Sequence, residues 1–261
     1  MNLKAMKRLI YTTFVWAALL LGGCVTGNGT DKQYDTIGKS IWEAVRLDLN
    51  RIHDILELVV KAEYILTLES EEQREEFIFN QFRGSEVSID DRHIIIKSPT
   101  TYDTYYTTTI LTNGATIREA GEWQVVRTGG WGYTLTLRST NKGIEAIFSD
   151  IRHRESRGNA SLLLDYDYSG PGSAICLMYS GQLVMIDDDA SKDKPLTLTA
   201  TITAPITYYN TEGMTDGSME IECYDELYDN RDVVGVDILS EPYRVALSYD
   251  IWEDEYNYDR I

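Results

Sequence analysis

The chain predicts an α+β protein that is mostly β, with an N-terminal helical hairpin followed by an antiparallel β-sandwich or open-barrel domain. Two observations carry this. Apolar residues recur at helical spacing from Asp35 to about Leu66, and beyond Gly84 the period changes to two and stays there to the C-terminus. Turn pairs such as Asn113-Gly114 and Gly129-Gly130 separate the alternating segments, as hairpin connections do.

The first helix follows from Ile37, Ile41, Val45, Ile52, Ile55, Val59, Ala62 and Leu66, with Leu49 and Leu56 widening the stripe, so one face is built to be buried. Asp35 is its expected N-cap. Ser70-Glu71-Glu72-Gln73 reads as a capping box that opens a second helix, which presents Phe77, Ile78 and Phe82 before Gly84 ends it. The obvious receiver for the hairpin's apolar face is the sheet that follows.

The β region reads as about a dozen short strands. Glu86 to Ile89 and His93 to Lys97 flank Asp90-Asp91, while Thr104 to Leu111 and Thr116 to Arg118 flank Asn113-Gly114. Trp123 to Thr128 and Trp131 to Arg138 flank Gly129-Gly130. In the second of these, Trp131, Tyr133, Leu135 and Leu137 share a face and Thr134, Thr136 and Arg138 the other, so one side is core and one is wet. Ile144 to His153 reads as a short helix or an irregular strand. Later strands are Leu162 to Tyr168, Ala174 to Tyr179, Leu183 to Ile186, Leu196 to Ala204, Ser218 to Tyr224, Val233 to Ile238 and Tyr243 to Trp252. Ser169-Gly170-Pro171-Gly172 and Ser180-Gly181 read as turns, and no fixed-period repeat is visible. One β domain over 84–261 is therefore expected, behind a hairpin over 35–83.

The N-terminus carries a different kind of information. Lys4, Lys7 and Arg8 precede the apolar run Leu9 to Leu21, which is too short to span a bilayer comfortably, and Leu21-Gly22-Gly23-Cys24 closes it. This pattern resembles the lipobox of bacterial lipoproteins. The resemblance covers Met1 to Cys24 and implies a signal peptide over 1–23, cleavage before Cys24, and acyl chains on the Cys24 thiol and amine. Several acyl chains make a stable membrane anchor where one would not. Val25 is not the aspartate that retains such proteins at the inner membrane in enteric bacteria, so the resemblance implies an outer-membrane location, with periplasmic and surface display both open. Residues 24–34, rich in Gly, Thr and Asn at their start, read as a flexible tether.

Charge and composition exclude more than they assign. The net charge of −18 becomes −21 once the leader, with its three cations and no acids, is removed. Such a field repels nucleic acid, and no Lys/Arg stripe exists to release its counterions. Besides Cys24 there are only Cys176 and Cys223, both in expected strands, open to a bridge or to two buried thiols. No P-loop, dinucleotide fingerprint, zinc-protease helix, nucleophile elbow or Cys/His metal spacing occurs, so no cofactor is expected. His53, His93 and His153 fall in no spaced motif, and His53, beside Ile52, reads as structural.

Two features remain as candidate ligand sites. Asp187-Asp188-Asp189, at the end of an apolar segment, offers oxygen ligands for calcium at a strand end or is a solvated acidic loop; it lacks the glycine and distal glutamate of an EF-hand. Asp225, Glu226, Asp229 and Asp232 carry the same two readings. Eighteen tyrosines against five phenylalanines favour rings with a polar edge, suited to sheet surfaces and to glycan or protein contact. Tyr102, Tyr105, Tyr106, Tyr208, Tyr209 and Trp252 are the contact candidates, with Tyr256 and Tyr258 in the same acidic tail as Trp252.

The expected function is a membrane-anchored, non-catalytic binding or accessory module for a glycan or an envelope protein. The alternatives are a carboxylate-dependent hydrolase, such as a glycoside hydrolase, which predicts a deep cleft and a carboxyl group of raised pKa, and a purely structural envelope lipoprotein. The last would leave an apolar patch exposed on Ile41, Val45, Ile52 and Val59.

Overall fold

The computed structural model describes the backbone of residues 29–99, 105–129, 131–153, 156–187, 196–225, 230–239, 244–251 and 254–259. A long helix α1 (Gly29–Thr67) is followed by α2 (Glu71–Gln81) and then by β1 (Glu86–Ile89), β2 (His93–Pro99) and β3 (Tyr105–Leu111). A one-turn helix α3 (Ile117–Ala120) leads into β4 (Glu122–Thr128), β5 (Trp131–Thr140), β6 (Gly143–His153), β7 (Ser156–Asp167) and β8 (Cys176–Asp187). The chain ends in β9 (Leu196–Tyr209), β10 (Gly213–Asp225), β11 (Asn230–Leu239), β12 (Arg244–Ile251) and β13 (Asp254–Asp259).

All the strands belong to one antiparallel sheet whose spatial order is the order of the chain, β1 through β13. The mostly β, antiparallel expectation holds. The sandwich does not: among the described residues there is no second sheet for the apolar face to meet, and that face is covered by α1 instead. Trp123, Val125, Leu135, Leu137, Phe148, Leu177, Ile221 and Val236 on the inner face are buried together with Trp42, Val45, Leu49, Leu56, Val59 and Ile65 of the helix. Helix residues 41, 42, 45, 49, 52, 53, 55, 56, 59, 60, 62 and 63 are all buried, far more of the circumference than a helix lying on a flat surface would hide. What stays at the surface is a narrow strip including Leu47, Asn50 and Asp54, spaced by three and four. Ion pairs Arg46–Glu43 (2.5 Å), Arg51–Asp48 (2.5 Å) and Lys61–Glu57 (3.6 Å) border it. Ile41, Val45, Ile52 and Val59 are covered within the chain, so they form no exposed patch.

Ser70 caps α2 as expected: its Oγ accepts from the Gln73 amide, and Gln73 Oε1 accepts from the Ser70 amide, each at 3.2 Å. Backbone helix α1 begins at Gly29, ahead of Asp35 and inside the stretch read as tether. Its main packing is on the sheet rather than on α2, which it meets at Tyr64 against Phe77 (ring centroids 4.9 Å apart).

Local signals misread two places, and at a third the structure decides between a short helix and an irregular strand in favour of the strand. Asn113-Gly114 does turn the chain, with φ of 54° and 73°, but Thr116 to Arg118 is not a return strand. Thr116 caps α3 through Glu119, whose Oε2 accepts from the Thr116 hydroxyl at 2.8 Å. Residues 144–153 belong to β6, bulged against β7 between Phe148 and Ile151. Ser180-Gly181 is no turn but a bulge inside β8, which joins the two segments read as separate strands.

Gly181 shows why. Its φ is +131°, and a Cβ there would lie 2.1 Å from the Ser161 carbonyl oxygen on β7. A Gly181→Ala variant is expected to lose about 2 kcal/mol, from backbone strain plus the displaced strand. Its thermal midpoint should fall by about 5 °C. A midpoint equal to that of the parent protein would refute the close approach.

Candidate functional site

Polar groups on α1 are met by tyrosines from the sheet. His53 is 1 % exposed, and its Nε2 shares a 2.6 Å hydrogen bond with the Tyr179 hydroxyl of β8. Its ring stacks on Tyr208 of β9 at 3.8 Å between centroids. One helical turn on, Glu57 Oε1 accepts from the Tyr208 hydroxyl at 2.7 Å. Glu63, two turns further, accepts through Oε1 from the Ile117 amide at 2.6 Å and through Oε2 from the Tyr166 hydroxyl. Three tyrosines thus reach from the sheet to the helix, which explains in part why tyrosine outnumbers phenylalanine: an apolar body fills the core and a hydroxyl satisfies a buried acceptor.

Burial sets the ionisation of this network. It pushes His53 down to about 3, so the ring is neutral over the physiological range and serves as a hydrogen-bonding spacer rather than a base. Burial, and then the facing Glu57 carboxylate, push Tyr208 well above the ordinary phenol range, and burial does the same to Tyr179. His53 is the structural histidine that its position beside Ile52 implies.

A cavity of about 380 Å³ opens beside this network, lined by Asn50, Asp54, Tyr208, Asn210, Thr211, Glu212 and Gly213. It lies between the exposed strip of α1 and the β9–β10 turn. That turn is held in place by Asn210, whose Oδ1 accepts from the Ile175 amide at 2.9 Å. Two carboxylates, two amides and a hydroxyl line the cavity with one aromatic ring and no cation, a set suited to a small polyhydroxylated or cationic molecule. Partial burial raises the Asp54 carboxyl, the neighbouring Glu57 raises it further, and Arg127 and Lys61 act the other way. A second cavity of about 230 Å³, mostly apolar, lies between α1 at Ala44, Leu47, Asp48 and Arg51 and the ends of β8 and β9.

Of the contact candidates, the structure brings Tyr208 to a cavity. Tyr106 lies on the inner side of β3 with the Arg127 guanidinium 4.1 Å from its ring and does not line the cavity at Tyr208. Tyr209 sits on the opposite face of β9 from Tyr208, beside Cys176, to which it is hydrogen-bonded. Cys176 and Cys223 are free thiols, and burial pushes the Cys223 thiol up to about 12. Cys24, Tyr102, Asp188, Asp189 and Trp252, and the side chains of Tyr105, Asp187, Tyr256 and Tyr258, lie outside the described residues. Among the described residues no group of three or more His, Cys, Asp or Glu side chains is placed to hold a metal ion. Asn50, Asp54 and Glu212 were not legible as site residues, because each looks like an ordinary surface polar residue until the helix strip and the turn come together.

Fold and site define a class by architecture: an antiparallel open sheet in chain order with a long N-terminal helix as its core. No family model, curated protein or solved structure matches the chain.

Proposed function

We propose that this chain is a membrane-anchored lipoprotein of the bacterial cell envelope, at the outer membrane, acting as a non-catalytic binding or accessory module for a glycan or protein ligand. The observation that carries it is Leu21-Gly22-Gly23-Cys24 at the end of a short apolar run behind three cations. The acylated Cys24 is the attachment the reading relies on; no helix among the described residues is long and apolar enough to cross a membrane. Residues 25–28 separate Cys24 from the first helical residue, Gly29. The finer architecture that goes with this reading is a curled, open-barrel-like sheet closed by its helix, with α1 and α2 as one helical unit.

A second reading, a carboxylate-dependent hydrolase, is favoured by one observation: the raised Asp54 carboxyl shares a cavity with Glu212. Its discriminating result is turnover of a glycoside that Asp54→Asn abolishes.

The anchoring claim is tested by fractionation. Cys24→Ala is expected to leave the membrane fraction, and labelling with an alkyne fatty acid is expected to vanish with it. A Cys24→Ala protein that still sediments with membranes overturns the claim.

A further inference from the structure

The outer face of the sheet carries an uncharged strip. In register across it lie Gln124, Thr136, Ile147, Ser161, Gln182 and Thr201, one from each of β4 to β9. Beside them runs a second row, Val126 to Thr134 and Ser149, then, past the bulge between β6 and β7, Asn159, Val184 and Thr199. All twelve are exposed or half-buried and none is charged, in a chain of net charge −18 with a quarter of its residues ionisable. The charges begin at the margins. On β10 the two rows run into Glu220 and Glu222, and the row on the other flank holds Glu122, Arg138 and Glu145.

The geometry points to this face as a binding surface for an uncharged polysaccharide chain, an inference that rests on the glycan arm of the function proposed above. Hydroxyls and amides recur at the strand spacing of about 4.8 Å along a strip about 24 Å long. Each can both donate and accept, as sugar hydroxyls do. Gln182 Nε2 already donates to Thr201 Oγ1 at 3.1 Å, which orients two of them. Val126 and Ile147, 39 % and 38 % exposed, and the half-buried Val184 offer apolar contact to the C–H faces of a sugar. A second copy of the chain is the weaker occupant. The strip covers roughly 300 Å², against about 800 Å² per partner in a stable complex, and two strongly acidic bodies repel.

The test uses the full-length lipidated protein in detergent, incubated with insoluble cellulose, with curdlan as a neutral β-1,3-glucan, and with polygalacturonate. Retention is expected on a neutral polymer and not on polygalacturonate, and it should be unchanged by salt, since no charge takes part. In a Thr136→Glu, Gln182→Glu double variant, a charge would have to be desolvated under the ligand, and retention should fall at least about tenfold. Gln182→Lys, at an exposed position, should weaken it as well, and Lys142→Glu, on the β5–β6 turn, should not; thermal midpoints confirm that each variant is folded. Absence of retention on both neutral polymers overturns the inference. So does equal retention of the folded Gln182→Lys variant, or a wild-type dimer in sedimentation that the same substitutions dissolve. A negative result leaves the Cys24 anchor standing, since fractionation reads that separately.

Discussion

Lowering the pH from 7 to 4 is expected to remove about 3 kcal/mol of stability through His53 alone. The imidazole is buried, and burial depresses it to about 3 in the folded protein, whereas an unfolded histidine titrates near 6.5. Between those values the unfolded chain binds a proton that the native chain refuses, so stability is fully present above the unfolded value and is lost as pH falls toward the folded one. Asp48 and Asp54 act in the opposite sense. Their carboxyls are raised, mainly by burial, so they favour the fold at low pH and lose that contribution as pH rises. Subtraction isolates the histidine. His53→Gln keeps an amide to meet the Tyr179 hydroxyl but cannot titrate, so the gap between parent and variant unfolding free energies should change by about 3 kcal/mol from pH 7 to pH 4. Parallel stability curves would show that the ring is not held neutral.

Replacing Glu63 by alanine is expected to cost about 3 kcal/mol, measured as a lower urea midpoint at constant slope. The carboxylate is 9 % exposed and takes two donors from separate elements: the first amide of α3 and the hydroxyl of Tyr166 on β7. Alanine leaves both donors without an acceptor where water has little access, and each such group costs about 1–3 kcal/mol. The same carboxylate holds the β3–β4 connection and the end of β7 to one point on the helix, so its loss should loosen three elements together. Glu63→Gln retains one acceptor oxygen and should cost less. An alanine variant within about 0.5 kcal/mol of the parent, the range of ordinary surface changes, would mean that the donors find other partners.

These two residues mark the limit of what the sequence discloses. His53 could be read as structural because it adjoins Ile52 on an apolar helical face. Nothing local marks Glu63, whose partners lie 54 and 103 positions along the chain. The same holds for the cavity, where Tyr208 was already a candidate for its ring, while Asn50, Asp54 and Glu212 drew no attention among 42 acidic residues and many polar ones.

By itself the sequence determined the mostly β class, the helical segment before Gly84, the capping box at Ser70 and most strand positions. Those depend on hydrophobic period, capping chemistry and short motifs, all of which act within a few residues. Only the tertiary structure decided that the strands form one sheet instead of two, that α1 covers its apolar face, and that Gly181 sits in a strand where the pair Ser180-Gly181 reads as a turn. The reason is that alternation assigns each strand an apolar face without saying what covers it. A second sheet and a long amphipathic helix satisfy that face equally well in sequence, and the choice is made by packing between segments far apart in the chain. The uncharged outer strip has the same origin: each strand contributes two unremarkable residues, and only the register across six strands makes them a surface.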